Sequence, residues 1–125
     1  MTDADPSFSP PDFVYRLIAA ADWDAAQKSG ALAYSDIDER DGCFHLSTRA
    51  QALETARLYF AGHDDLLALE IAYTEICDAC RWEPADARGG DLFPHYFGVI
   101  DANKVARAIK LEQAGDGYLF VEAGS

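Results

Sequence analysis

The sequence predicts a single α+β domain in which two early helices pack against a β-sheet system. Hydrophobic residues make up 50% of the 125 residues and aromatic residues 12%, which is enough for one core without a metal or a disulfide. This length suits one domain and is short for two. Segments with the alternating pattern of strands outnumber those with helical spacing, as is typical of this class.

The charge balance restricts the partners. Acidic residues number 22 and basic residues 10, which gives a net charge of -12. Such a surface repels a phosphate backbone, so bulk nucleic acid is not an expected partner. A small anionic ligand, held by a local basic or helix-terminal site, is compatible with it. Since no apolar run could span a bilayer and no signal-peptide pattern opens the chain, we expect a cytoplasmic protein without a membrane partner.

The cysteines do not predict a disulfide framework, because Cys43, Cys77 and Cys80 are an odd number. Cys77 and Cys80 form a single CxxC pattern. This pattern is either a redox pair, half of a zinc site, or two small residues at the end of a turn. A zinc site needs two more ligands, and the histidines are scattered singly. We therefore expect no metal.

The chain begins with a stretch that predicts a flexible arm. Residues 1–12 hold three prolines among serine and aspartate, so we place the domain at residues 13–125. Residues 13–18 are β-branched and aromatic, which predicts a strand. Arg16 interrupts that strand. An arginine there either faces solvent or points into a polar cleft.

The first helix is predicted over residues 23–29. Asp22 is expected to cap its start, and Gly30 is well placed to end it. Residues 31–42 mix serine, acidic residues and arginine without an apolar repeat. We expect a polar loop there, long enough to border a site.

The short apolar run around His45 carries the most informative pattern. In a strand, alternate side chains share a face, so His45 and Ser47 would point outward while Phe44 and Leu46 anchor the core. Thr48 begins a capping-box pattern, which predicts that a helix starts there. The first turn of a helix carries a partial positive charge that suits a phosphate. The alternative is a structural strand with a helix cap.

The rest of the chain alternates between one helical stripe and several strands. The stripe extends to about residue 61 and is assigned to core packing. Its members are Leu53, Ala56, Tyr59 and Phe60. Strand patterns follow at residues 66–73, 81–83, 105–112 and 118–122, with a glycine-rich loop over 85–92. Glu70 is expected to be exposed or paired, and a buried catalytic acid is the alternative.

A second informative run lies around His95. His95 and Phe97 share one strand face and Tyr96 takes the other. Aromatic rings beside a histidine and a glycine suit the stacking of a heterocycle, and they suit a sheet core equally well.

Five pieces of the chain, in order, resemble the bacterial domain-of-unknown-function 952 family. They are Tyr15, Trp23, the run from Phe44 to Thr48, the run from Arg81 to Glu83, and the run from Phe93 to Gly98. The resemblance covers about residues 13 to 112. It implies an ADP-ribosylation-like fold, a split and strongly curved β-sheet that cradles NAD in the ADP-ribosyltransferases.

The same resemblance implies where a ligand would lie. Three polar positions on three strands surround the nicotinamide-ribose end of NAD in that superfamily, and they match Arg16, His45 and His95. The family has histidine where this chain has Arg16, and tyrosine where it has Phe97. Well-studied transferases place a glutamate at the third position, where this chain has His95.

Together the patterns and the resemblance give a candidate function. We expect an NAD or ADP-ribose-type nucleotide in this cleft, with NAD as a substrate and ADP-ribosyl transfer or glycohydrolysis as the reaction. The candidate catalytic residues are His45 and His95, and the candidate ligand-binding residues are Arg16, Ser47, Thr48, Tyr96 and Phe97. The alternative is a non-catalytic small-ligand or protein-interaction module that kept the fold and lacks the glutamate.

Overall fold

Two antiparallel β-sheets and three α-helices make up the described part of a computed structural model, which covers residues 10–85 and 88–122. Residues 1–9 of the predicted arm lie outside the described residues. The strands are β1 (Phe13–Ala19), β2 (Phe44–His45), β3 (Leu66–Ala72), β4 (Cys80–Ala85), β5 (Asp91–Tyr96), β6 (Val105–Ala114) and β7 (Gly117–Val121). The helices are α1 (Ala20–Ser29), α2 (Asp36–Asp41) and α3 (Arg49–Tyr59).

The larger sheet has the strand order β1-β3-β6-β7, and the smaller one has the order β2-β5-β4. Every strand pair in them is antiparallel. The sheets meet where Tyr15 of β1 exchanges backbone hydrogen bonds with Ser47, at N···O distances of 2.7 and 2.9 Å. The α+β class is therefore confirmed, whereas the likeness to ADP-ribosyltransferases stays a prediction.

β1 is buried on both faces and so divides the core in two. Val14 and Ile18 pack on one side with Phe44, which is only 1% exposed. Tyr15 and Leu17 pack on the other side, against α3. The small sheet covers the first side, so its core-facing residues are apolar and its outer face is left for polar side chains.

The first helix begins earlier than its sequence pattern indicated. α1 starts at Ala20, directly after β1, and its N-cap residue Ala19 makes no side-chain capping bond. The predicted cap at Asp22 is therefore wrong, and Asp22 lies in the first turn, where a carboxylate suits the helix dipole. Gly30 ends the helix as predicted, with φ at 99° in the left-handed region that glycine tolerates.

The predicted polar loop over residues 31–42 contains a helix, which is a correction. Ser35 caps α2, its side chain accepts from the Asp38 backbone N–H, and the Asp38 side chain accepts from the Ser35 N–H. This reciprocal capping satisfies free N–H groups at the helix start. Helical periodicity could not reveal α2, because five of its six residues are charged.

α3 begins as predicted, because Thr48 and Gln51 form the capping box. It buries the small residues Ala52 and Ala56 against the sheet, which lets the helix approach closely. The expectation that Tyr59 packs in the core is wrong, since this last helical residue is 59% exposed. Within the described ranges, no helix is long and apolar enough to cross a membrane.

β4 is longer than the strand pattern at residues 81–83 and continues through Pro84 to Ala85. Proline has no backbone N–H to donate, and it is tolerated here because β4 lies at the edge of the small sheet.

Candidate functional site

The register of the small sheet brings three cationic or titratable side chains into one row. His45 of β2 pairs with His95 of β5, and His95 pairs with Arg81 of β4. Directly opposed residues of antiparallel strands point to the same face. The two imidazole rings touch edge to face, with centroids 5.2 Å apart.

His45 is held between two carboxylates of α2. Its Nδ1 lies 2.8 Å from Asp38 Oδ1 and its Nε2 lies 2.8 Å from Asp41 Oδ2. A carboxylate only accepts, so both ring nitrogens donate and the ring is a cation in this arrangement. The hydrogen bond to Asp38 is the main cause that raises the pKa of His45 above its usual value.

Asp38 is the centre of this arrangement. It is fully buried and accepts five hydrogen bonds, from both Arg16 guanidinium nitrogens, the Ser35 N–H, the His45 N–H and the His45 ring. Burial alone would raise its pKa. The hydrogen bond from His45 and the charge of Arg16 outweigh burial and hold that pKa well below its usual range.

Arg16 reaches this cluster from the other sheet. Besides Asp38, it donates to the His45 carbonyl oxygen at 3.1 Å, and its side chain is only 12% exposed. Arg16 thereby ties β1 to β2. The sequence was compatible with a local basic site for an anion, but Asp38 and Asp41 offset the charges of Arg16 and His45 here.

His95 has a different hydrogen-bonding state. Its Nδ1 lies 2.8 Å from the Phe93 carbonyl oxygen. A carbonyl only accepts, so Nδ1 carries the proton and, in the neutral ring, Nε2 keeps its lone pair. The face thus joins one cationic imidazole to one that can accept a proton.

The hydroxyl residues serve the start of α3. Ser47 is 4% exposed, so the expectation that its side chain points outward with that of His45 is wrong, and its hydroxyl donates to Thr55 Oγ1 at 3.4 Å. Thr48 accepts from the Gln51 backbone N–H at 3.2 Å. The structure therefore brings Arg16, His45 and His95 together and directs these two hydroxyl groups to α3. The ligand-binding roles predicted for Ser47 and Thr48 stay predictions.

Tyr96 and Phe97 take different environments. Tyr96 is 7% exposed and packs in the core, and its ring lies 3.0 Å from where a Cβ at Gly98 would be, so a side chain there would press against this ring. Phe97 is 37% exposed and lines a groove of about 540 Å³. The other lining residues are Leu32, Tyr34, Gly42, Phe44, Gly98 and Val99.

The groove lies beside the histidine cluster. Tyr34 and Gly42 both line it, and they stand at either end of the segment that contains α2, the helix that supplies Asp38 and Asp41. The pKa of Asp41 falls to about 2, first because Arg40 donates to it and second because His45 does. Asp41 is a surface carboxylate that directly precedes Gly42 of the groove lining and contacts His45.

Asp38 and Asp41 were not predicted from the sequence as site residues. A usable signal existed for Asp38, because Ser35 followed three residues later by an acidic residue is a helix-capping pattern. No local pattern indicates that its carboxylate also meets Arg16 and His45.

Glu70 is a second buried carboxylate, 5% exposed. It accepts from the Tyr15 hydroxyl at 2.8 Å and from Arg107 at 2.9 and 3.0 Å. Hydrogen bonds from Arg107 are the main cause that lowers its pKa. This agrees with the paired carboxylate expected at Glu70, and it ties β1 and β3 to β6.

Burial raises the thiol pKa of two of the three cysteines, Cys43 and Cys80. Cys77 is exposed, and burial raises the pKa of Cys80 to about 11, so the Cys80 thiol is protonated at neutral pH. Among the described residues, no group of three histidine, cysteine, aspartate or glutamate side chains is placed to hold a metal ion.

The chain matches the family described as Protein of unknown function (DUF952) over residues 17–120. It belongs to the DUF952 family. This confirms the family resemblance read from the sequence, while the relation of DUF952 to ADP-ribosyltransferases stays a prediction.

Solved structures of a similar protein support the same fold. The X-ray crystal structure of Protein CC0527 from Caulobacter crescentus has a TM-score of 0.77 and 34% identity, covering 85% of this chain and 91% of that chain. Its solution NMR structure has a TM-score of 0.75 and 33% identity, covering 86% and 91%. No curated protein matches this chain.

Proposed function

We propose that this DUF952 protein binds an NAD- or ADP-ribose-type nucleotide on the outer face of the β2-β5-β4 sheet, with NAD as a substrate. The observation that carries the proposal is the pair of histidines, 5.2 Å apart and in different hydrogen-bonding states, beside a groove lined by aromatic rings. Neither histidine is needed to fill the core, since both are partly exposed on the outer face.

The groove supports the heterocycle part of this ligand. Its volume of about 540 Å³ lies in the range of small-molecule sites, and Phe97 and Tyr34 offer ring faces or edges for stacking. The Tyr34 ring is itself fixed edge to face against Phe44, with centroids 4.5 Å apart.

The histidines support the ribose and phosphate part. The His45 Nε2–H is bonded to Asp41, whose side chain is 36% exposed and also bonded to Arg40. A ligand oxygen that displaces Asp41 gains this donor from a cationic ring. Asp38 stays in place and keeps the ring oriented.

The state of His95 favours a second function, glycohydrolysis or ADP-ribosyl transfer. Hydrolysis would break the bond between ribose C1′ and the nicotinamide nitrogen, and the electron pair would stay on that nitrogen, releasing neutral nicotinamide. The oxygen of water would bond to C1′ and its proton would pass to His95 Nε2. In the transfer reaction, an acceptor hydroxyl takes the place of water. A module that binds without this step is the alternative.

Isothermal titration calorimetry with ADP-ribose and with NAD tests the binding. We expect dissociation constants from micromolar to millimolar, or about -8 to -4 kcal/mol. His45→Asn and His95→Ala should each weaken binding. His63→Ala is the matched control, since this exposed histidine lies against Phe60, outside the row.

Two outcomes would contradict the proposal: no heat beyond dilution at millimolar ligand, or equal losses in all three variants. Chromatographic detection of free nicotinamide after incubation with NAD separates the enzyme from the binding module. Release that disappears in His95→Ala supports the enzyme, and binding without release supports the module.

A further inference from the structure

The arginines of this protein fall into two groups. Five of the seven arginines form ion pairs with carboxylates, namely Arg16, Arg40, Arg49, Arg57 and Arg107. Among the described residues, no carboxylate lies within ion-pairing distance of the other two, Arg81 and Arg88. In a chain with a net charge of -12, an unpaired arginine is an exception that stability does not explain.

Both of these arginines lie over aromatic rings of the same sheet region. The Arg81 guanidinium carbon lies 5.1 Å from the Phe97 ring centre, and that of Arg88 lies 4.7 Å from the Phe93 ring centre. Stacking on a ring fixes a guanidinium and leaves the donors at its edge available for an anion. Arg88 uses one donor on Thr55 Oγ1, at 2.9 Å.

Of these two arginines, Arg81 is the one that lies beside both the histidines and the groove. It is directly opposed to His95 in the sheet, and the ring below it, Phe97, lines the groove. Arg88 lies over the Phe93 ring instead. Phe93 precedes Phe97 by four residues, which corresponds to about 13 Å along an extended strand. Glu83 follows Arg81 on the same strand face but is not ion-paired with it.

We propose that Arg81 binds the phosphate groups of the ligand. A guanidinium presents a planar fork of N–H donors that matches two oxygens of one phosphate. This assignment rests on the proposed function for the nucleoside part of the ligand only, because the phosphate part can be measured alone with pyrophosphate.

Calorimetry at low salt with pyrophosphate and with ADP-ribose tests the assignment. Arg81→Ala should weaken both ligands by about tenfold or more, as expected for charge-assisted hydrogen bonds. Arg81→Lys keeps the charge and loses the fork, so it should recover only part of the affinity. Arg88→Ala is the matched control, since it removes an equal charge from an equally stacked arginine outside the site, and it should change either affinity by less than about twofold.

Several results would overturn the assignment. Equal losses in Arg81→Ala and Arg88→Ala would show a diffuse charge effect, and no binding of millimolar pyrophosphate would show that no phosphate site exists. ADP-ribose binding that is unchanged by Arg81→Ala would overturn it while the proposed function stands. Conversely, Arg81-dependent pyrophosphate binding with ADP-ribose no tighter than pyrophosphate would support the phosphate site and contradict the nucleotide function. Thermal unfolding of each variant confirms that the substitutions at the exposed Arg81 and the half-buried Arg88 leave the fold intact.

Discussion

Replacing Asp38 by asparagine should destabilise the protein more than any other change of one atom at this site. Asp38 Oδ1 accepts from Arg16, the His45 N–H and the His45 ring, and Oδ2 accepts from Arg16 and the Ser35 N–H. An asparagine oriented to keep the three donors at Oδ1 places an NH₂ group against the two donors at Oδ2. It also removes the negative charge that the buried part of Arg16 faces.

The expected cost follows from these losses. Removing one partner of a buried ion pair costs about 3–5 kcal/mol, because the remaining charge stays buried without compensation. A domain of this size has about 5–15 kcal/mol of stability in total. Asp38→Asn should therefore remove a large fraction of it, and the sheets should lose the link that Arg16 makes between β1 and β2.

Urea unfolding at neutral pH, followed by far-UV circular dichroism, measures this cost. Asp36→Asn is the control, because this exposed residue of the same helix α2 contributes only through the helix dipole, below about 1 kcal/mol. Arg16→Met removes the cation, and the double variant should cost less than the sum of the single changes by about 0.5–3 kcal/mol. A cost for Asp38→Asn below about 1 kcal/mol, or strict additivity, would refute the reasoning.

Two further predictions concern His45 and its surface partner. The folded-state pKa of His45 is raised, so its contribution to stability is complete below the unfolded value of about 6.5 and is lost as the pH rises through the folded value. The difference in unfolding free energy between wild type and His45→Asn should shrink over that window, and a pH-independent difference would contradict a cationic His45 held between Asp38 and Asp41. Asp41→Asn removes the negative charge beside the His45 Nε2–H, so it should tighten the binding of pyrophosphate and ADP-ribose in calorimetry. Weaker binding would show that Asp41 supports the site.

The two carboxylates of α2 hold the His45 ring in different ways. Asp41 accepts hydrogen bonds from the His45 Nε2–H and from Arg40. The Nε2–H of His45 is thus paired with a carboxylate that is partly exposed. Asp38 is buried and fixed by five donors, and it orients the ring whichever oxygen lies at Nε2. The two carboxylates of one short helix therefore have different tasks, one positioning the imidazole and the other covering it.

The local features of the fold were predictable from the sequence. The capping box at Thr48 and the end of α1 at Gly30 depend on a few neighbouring residues, and both are found as predicted. Strand parity likewise predicted that Phe44 and Leu46 are buried and that His45 is not. These outcomes follow from backbone geometry that repeats within one or two turns of chain.

Only the tertiary structure decided which of these local pieces meet. The pairing of β2 with β5 and of β5 with β4 placed His45, His95 and Arg81 in one row, and no segment of the sequence states that register. α2 was hidden because a short helix of charged residues has no apolar repeat, yet its Asp38 holds both Arg16 and His45. The carboxylate that pairs with a given cation is the one that is buried beside it. Burial depends on how the whole chain packs and cannot be read from any single stretch of the sequence.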